Sequence, residues 1–447
     1  MVVLPCRSCI QLFLSLSKLI RYIFLKSRFF KTFIRLTMTQ ANSTAIPNLK
    51  VVTLNFWGIR YISKDVEVRL RYLIRTLRES DYDLIALQEI WSFNDYQRIK
   101  DGIGLIFPYS HYFQNGLVGS GCCVFSRHHI EEVFFHRFSL NGYPYKVQHS
   151  DWFAGKLVGL AVIHFHGLVI NAYVTHLHAN YSVNFLLNQH SDEYLAHRII
   201  QLFELSQFIS KTGVQADVCL LLGDLNTLET EFGYKMLRNH AQLLDAYTEK
   251  NNSAEEFCDG ITCNHKYNKY QPPMAVRKAF PDGLRIDYIM FKYSKTLSLK
   301  CLVCKTCFGK IGSTDLNYSD HEGVRAEFEI TQRKLDDPLP EVKSKIEPGI
   351  HYYLDARSVL LKSIDSISTS QITFILIAFL CFLLLFLFNN LNEYFSVFKN
   401  FILSMIIFFL FIFTLFVKSV EKKILACSLD SLNVVIKHKN SDISRLN

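Results

Sequence analysis

The sequence predicts a mixed α/β domain over residues 49–330 followed by a C-terminal membrane hairpin. Three observations point there. Short apolar runs of strand length alternate with helical periodicities through the first region, those runs end repeatedly in polar residues, and two uninterrupted apolar stretches lie near the C-terminus. With 447 residues the chain has room for one large domain with appendages, or for two or three small ones, at roughly 100 to 200 residues per domain. A hydrophobic share of 49% against 20% charged residues excludes a disordered or low-complexity chain. The net charge of +9 is concentrated at one end: Arg7, Lys18, Arg21, Lys26, Arg28, Lys31 and Arg35 lie in residues 1–48, which hold no Asp or Glu. The remainder is nearly neutral, which argues against a broad basic surface for nucleic acid.

Residues 1–48 form a basic, apolar extension with the composition of a transit peptide or of a surface-binding amphipathic helix. Met38 is a plausible alternative start. Leu49–Phe56 reads as a strand, residues 64–79 place Val66, Leu70, Leu73 and Leu77 at helical spacing, and Asp83–Leu87 is again a short strand. Further strands are expected at Leu157–Phe165, Leu168–Thr175, Val218–Leu222 and Ile286–Phe291, with a helix over 192–210. Residues 331–366 are charged and contain Pro338, Pro340 and Pro348, so they read as a linker. The spans Ile372–Phe388 and Phe401–Val417 are charge-free, and at ~1.5 Å per residue each reaches about 25 Å, suited to a thin bilayer such as the endoplasmic reticulum. They define a membrane region over 367–420. Lys343, Lys345, Arg357 and Lys362 before it, and Lys418, Lys422 and Lys423 after it, put both flanks in the cytosol, including a tail over 421–447. Whether the membrane is that of the endoplasmic reticulum, the Golgi or the plasma membrane stays open, as does the oligomeric state.

The twelve cysteines lack the spacing of a disulfide framework, which suits a reduced compartment. Cys301, Cys304 and Cys307 have no fourth ligand nearby and fit a strand better than a zinc site.

The chemistry-bearing residues sit at strand exits, where a sheet presents reactive groups. In order they are Asn55, Gln88 with Glu89, His176 and His178, Asp224 and Asn226 in LLLGDLN, Asp287 in LRIDYIM, and Asp320 and His321 in SDH. Singly each is weak. As an ordered set they resemble the deoxyribonuclease-like superfamily of endonucleases, exonucleases and phosphatases. That resemblance covers residues 49–330 and implies a four-layer sandwich of two mixed β-sheets flanked by helices. The stretches LNFWGIRYISKDVEVR, FPYSHYFQNGLVGSGCCVFSR and DWFAGKLVG, with the C-terminal hairpin, look like the neutral, magnesium-dependent sphingomyelinases with two C-terminal spans.

A phosphodiester repels an attacking hydroxide, so such a site needs a cation on the phosphate, a base for water and donors for the equatorial oxygens. Glu89, with Asn55 beside it, suits Mg²⁺, with Mn²⁺ as a substitute. His321 is the candidate base and Asp287 its orienting partner. The resemblance implies the same roles. It adds Asp320 as a further metal or water ligand, His176 and Asn226 as donors to the phosphoryl oxygens, and Asp224 as the group that positions the nucleophile or stabilises the transition state. Asp151 and Lys156 resemble a coupled acid–base pair that acts as a switch beside the site in that group; an exposed salt bridge is the plainer reading. His178 is either a second phosphate donor or a satisfied histidine beside the sheet. Trp57, Trp152 and Phe153 could face a choline headgroup, and Trp152 and Phe153 are better suited to the lipid headgroup layer.

The expected reaction is hydrolysis of sphingomyelin to ceramide and phosphocholine by one in-line attack of water. The implied partners are a sphingolipid or choline phospholipid and the bilayer, and no nucleic acid. A lysophospholipid phospholipase C, an inositol phosphatase or nuclease of the same fold, and a non-catalytic membrane scaffold are the competing readings.

Overall fold

A computed structural model describes residues 46–146, 149, 151–181, 192–250, 260–333, 349–386 and 393–446. The elements below all lie in the unit Pro47–Asn447, and the basic extension expected over 1–48 falls almost wholly outside the described residues. Strand β1 (Leu49–Asn55) is buried on both faces, as its run of Val and Leu requires. It pairs parallel to β2 (Leu84–Gln88) and antiparallel to β12 (Gly323–Gln332). Strands β3 (Tyr109–Tyr112), β4 (Cys123–Ser126) and β11 (Leu297–Cys307) complete a six-stranded sheet in the order β11-β12-β1-β2-β4-β3. The second sheet has the spatial order β5 (Ile130–Arg137), β6 (Leu157–Phe165), β7 (Leu168–His176), β8 (Val218–Asp224), β10 (Asp287–Tyr293) and β9 (Leu244–Asp245). The sheets meet face to face, β1 against β8 and β10 and β2 against β7 and β8, with the Phe291 and Phe328 rings 5.0 Å apart between them.

Helices α1 (Val66–Arg78) and α2 (Phe93–Ile103) cover the first sheet. Leu70, Leu73 and Leu77, spaced for one helical face, share a buried cluster with Ile99, Ile103, Val52, Leu54, Ile85 and Leu87. Helices α3 (Leu195–Thr212) and α4 (Phe232–Ala241) cover the second sheet through Ile199, Leu202, Met236 and Leu237 against Leu221 and Met290. The expected four layers, helices, sheet, sheet and helices, are therefore present, and β1, β2, β7, β8 and β10 all point their chemistry-bearing ends at one edge.

The C-terminal part is helical: α5 (His351–Phe386), α6 (Glu393–Ile412), a π-helical stretch Phe413–Lys418, and α7 (Ser419–Leu446). Two segments, His351–Leu385 and Tyr394–Ser441, are long and apolar enough to cross a membrane. Ile372, Leu376, Phe379 and Phe408 are exposed, which a buried hairpin in a soluble core would not allow. The stretch read from its charge and prolines as a linker over 331–366 becomes helix from His351 onward. The difference has a physical cause, since that half of α5 is amphipathic. Tyr352, Tyr353, Ala356 and Leu360 join Leu425, Leu432 and Ile436 of α7 in the same buried cluster as α3 and α4. The Tyr353 hydroxyl donates to Asn239 Oδ1 at 2.9 Å, and Lys439 Nζ donates to the same oxygen at 2.9 Å. Cys301 and Cys304 are buried on β11, the strand reading preferred for them.

Candidate active site

Asn55 ends β1 and Glu89 follows β2, so the parallel β1–β2 pairing brings them together. Asn55 Nδ2 donates to Glu89 Oε1 at 2.9 Å and to Asp224 Oδ2 at 3.0 Å, and its Oδ1 accepts from the Trp57 backbone. Glu89 adopts a left-handed backbone (φ +58°), a strained state for a non-glycine residue and one that concentrates at functional sites. Gly121 lies directly behind it, where a Cβ would come within 3.1 Å of the Glu89 nitrogen. Trp91 Nε1 faces Glu89 Oε2 at 3.3 Å.

Strands β7 and β8 run in parallel register with His176 opposite Asp224, and β8 and β10 pair Asp224 with Asp287. His176 Nε2 lies 3.5 Å from Asp224 Oδ2 and 4.0 Å from Glu89 Oε1. Asp287 Oδ2 bonds His321 Nδ1 at 2.8 Å, which leaves Nε2 as the nitrogen able to take a proton, with Cys263 beside the ring. Asn226, in a left-handed turn (φ +47°), anchors its amide on the Leu177 carbonyl at 3.1 Å, and its backbone N–H donates to Asp224 at 2.8 Å. Asp320 accepts from Ser319 at 3.2 Å. The residues thus form one connected cluster, Glu89, Asn55, His176, Asp224, Asp287 and His321, and Asp320 lies within electrostatic reach of both Glu89 and His321.

Burial pushes the Asp224 carboxyl up to about 7, with the neighbouring Asp287 adding to the rise. Burial also raises Asp320 to about 6, with His321 opposing and Glu89 reinforcing the shift. Burial holds His176 well below its usual value, so its imidazole is neutral. For His321 burial acts downward, but Cys263 and Asp287 outweigh it and the pKa rises well above its usual value. Burial also raises the Cys263 thiol, and a protonated thiol carries no charge to hold the imidazole cationic, so a neutral Nε2 is accessible to the attacking water. Two buried carboxyls held above their normal range describe a site short of positive charge, and a hard divalent cation on Glu89 would supply it. Asp224, Asp287 and His321 also bring ligand atoms within 4.8 Å of one another. His321 Nδ1 is engaged with Asp287 there, as the two Glu89 oxygens are with Asn55 and Trp91, so both this group and Glu89 offer ligand atoms that could hold a cation.

Lys156 and Asp151 form a buried pair, not an exposed one: Nζ lies 3.1 Å from Asp151 Oδ1, with side-chain exposures of 2% and 5%, and also donates to the Leu177 carbonyl at 3.0 Å. Tyr181 donates to Asp151 Oδ2 at 2.6 Å. His178 is wholly buried beside them, Nδ1 on the Ala179 carbonyl at 2.8 Å, Nε2 3.7 Å from Asp151 Oδ2 and its ring stacked 4.0 Å from Tyr194. Trp57 is half-buried and packs against Tyr270 and Arg69. Trp152 is exposed and packs edge-on against Phe153.

Beside Glu89 opens a cleft of about 530 Å³, lined by Trp91, His149, Phe153, His176 and Tyr181 among others. Trp91, His149 and Tyr181 were not singled out from sequence. They join the site only through the folded chain, although Trp91 stands two residues after Glu89. Arg69 was missed too. Fully buried on α1, its guanidinium donates to the carbonyls of Phe56 (2.6 Å), Trp57 (2.8 Å), Lys64 (2.8 Å) and Tyr318 (3.0 Å). It clamps the β1 exit to the segment that carries Asp320 and His321.

Comparison with known proteins places this geometry. Residues 52–321 match the Endonuclease/Exonuclease/phosphatase family. "Sphingomyelin phosphodiesterase 2" of Mus musculus is 43% identical over 281 residues, 62% of this chain and 64% of that protein, a little under two thirds of its length. The "Putative neutral sphingomyelinase" of Caenorhabditis elegans is 36% identical over 362 residues, 77% of this chain and 80% of that one. "Inositol phosphosphingolipids phospholipase C" of Schizosaccharomyces pombe is 27% identical over 321 residues, covering 68% and 73%.

Proposed function

Because the chain belongs to the endonuclease/exonuclease/phosphatase family, within which it groups with the neutral sphingomyelinases, we propose that it is a membrane-anchored, Mg²⁺-dependent phosphodiesterase of phospholipase C type that cleaves sphingomyelin. The observation that carries the reading is the Asp287–His321 dyad, 2.8 Å across, in one cluster with Asp224, Asn55, His176 and Glu89. Asp287 fixes the His321 tautomer, and Nε2 takes the proton of the attacking water. The water oxygen bonds to phosphorus as the bond to the ceramide oxygen breaks, and the departing alkoxide is protonated by water. Neutral His176 and the Asn226 amide donate to the phosphoryl oxygens as charge builds. Asp224 orients Asn55 and, through its closeness to His321, the nucleophile. Mg²⁺ held by Glu89, with Asp320 a layer behind, would neutralise charge on the phosphate and the leaving oxygen. Lys156, buried against Asp151, adds positive potential beside His176.

The two apolar segments serve as the anchor, and the Lys and Arg residues flanking them put the catalytic domain on the cytosolic side. The fission-yeast relative's name supports a second reading in the headgroup alone, inositol phosphate in place of choline. The deciding experiment offers detergent-solubilised protein radiolabelled sphingomyelin, a choline lysophospholipid and an inositol phosphosphingolipid, with Mg²⁺ or chelator, alongside His321→Ala. Phosphocholine release that needs Mg²⁺ and His321 supports the proposal; turnover of none of them refutes it.

A further inference from the structure

In-line displacement puts the attacking and departing oxygens on opposite sides of phosphorus. With His321 activating the water, the leaving group departs on the side of phosphorus away from His321. The 530 Å³ cleft opens away from the dyad: it takes in Glu89 and His176 but none of Asp224, Asp287 or His321. Its rim carries exposed apolar side chains beside Arg60, with Tyr61 fully exposed, Leu117 80% exposed and Val118 half-exposed, and Phe153 lines it too. Exposed apolar residues at the mouth of a polar reaction centre suit a lipid.

One flank of the cleft also connects to the C-terminal helices. Tyr145 packs edge-on against Phe413 with centroids 4.9 Å apart, and Lys418 Nζ sits 4.5 Å from the Tyr143 ring, both where the second apolar segment gives way to α7. A few residues further along the chain, His149 and Asp151 line the cleft, where Tyr181 stacks on His149 at 4.0 Å and donates to Asp151. The His149 wall of the cleft is therefore joined, through the Tyr194 and Tyr143 rings, to the end of an apolar helix.

From these positions we infer that the cleft is the subsite for the apolar, departing half of the substrate, the ceramide moiety, received from the bilayer beside Phe413–Lys418. This rests on the sphingomyelinase reading. The headgroup then projects away from the cleft, and Leu117 and Tyr61 determine lipid recognition without touching the phosphate.

The test compares two substrates that share phosphocholine and differ in the leaving group: sphingomyelin in mixed micelles, and p-nitrophenyl phosphocholine, which has no lipid. The full detergent-solubilised chain is assayed as wild type, Leu117→Asp, Tyr61→Ala and the conservative Leu117→Ile, with melting temperatures measured for each. These side chains are exposed, so folding should be unaffected. The inference expects the ratio of kcat/KM for sphingomyelin to that for the soluble ester to fall about tenfold or more in Leu117→Asp, less in Tyr61→Ala, and to recover in Leu117→Ile. An unchanged ratio, whether both activities fall together or neither moves, overturns the subsite. Wild-type protein that cleaves the soluble ester but not sphingomyelin overturns it too. Wild type inactive on both refutes the sphingomyelinase reading itself, a result distinct from the others.

Discussion

Breaking the buried Lys156–Asp151 pair should cost far more than replacing both partners. The two side chains are 2% and 5% exposed and 3.1 Å apart, so neither charge can fall back on water. Burial works against the Asp151 charge, yet His178, Lys156 and the Tyr181 hydroxyl together hold its carboxyl below the usual range. Lys156→Met keeps the length of the side chain and removes the cation, leaving a buried carboxylate with Tyr181 as its remaining close donor; such a loss costs about 3–5 kcal/mol. Asp151→Asn strands the ammonium on the Leu177 carbonyl, with a similar cost. The double variant buries no charge and loses mainly hydrogen bonds, about 1–2 kcal/mol. The singles together should therefore exceed the double by about 3 kcal/mol or more, a clear coupling in a double-mutant cycle. Thermal melts of the detergent-solubilised chain measure it. If the double variant is destabilised by the sum of the singles, to within about 0.5 kcal/mol, the pair is not electrostatically coupled and the argument fails. Hydrolysis by the same proteins separates structure from chemistry. Recovered stability with turnover still down about a hundredfold would show Lys156 acting on the phosphate, and recovered turnover would show that the pair only braces the site.

Glu89→Gln and His321→Ala should each lower turnover at least about a hundredfold while leaving the circular dichroism spectrum intact; full activity in either well-folded variant removes that residue from its role. Arg69→Lys cannot serve four carbonyls with a planar fork, so it should destabilise by about 2–3 kcal/mol and lower kcat more than it raises KM, read from melts and kinetics. Burial and the Lys439 and Lys211 charges lower His240 to about 4. Above the unfolded value near 6.5 it is neutral in both states; as pH falls from there to 4 the unfolded chain gains the proton first, and up to about 3 kcal/mol of stability disappears. His240→Phe should flatten that loss in melts at pH 7 and pH 5. Tyr353→Ala empties a fully buried site, costs about 3–5 kcal/mol, and should speed limited proteolysis of α5.

The site was legible because its residues end short apolar strands. Asn55, Glu89, His176 and Asp224 each close or follow a Val- and Leu-rich run, and parallel β1–β2 and β7–β8 pairing gathers those ends on one edge; Asp287 opens β10, and the antiparallel β8–β10 pairing brings it to the same edge. Residues whose role depends on tertiary neighbours were not legible. Arg69 on an amphipathic helix reads as a solvated charge, and only the fold shows it buried among carbonyls. Strands β3 and β9 are too short to show a period, and β5 is exposed along most of its length, so none of them announced itself. The docking of α5 was hidden for a related reason. Its charged face dominates the local composition, while Tyr352, Tyr353, Ala356 and Leu360 find their partners on elements far away in sequence.

That docking changes how a truncated protein would behave. Because α5 and α7 share one buried cluster with α3 and α4, a fragment cut at the end of β12 to obtain a soluble enzyme would be missing a wall, not just a leash. Phe203, Met236 and Leu237 belong to that cluster, and the surface it shares with the lost helices would be stripped bare. Such a fragment should be sticky and short-lived. A workable one would keep the lower halves of α5 and α7 and join them across the deleted apolar segments by a short hydrophilic loop, leaving the helical buttress in place.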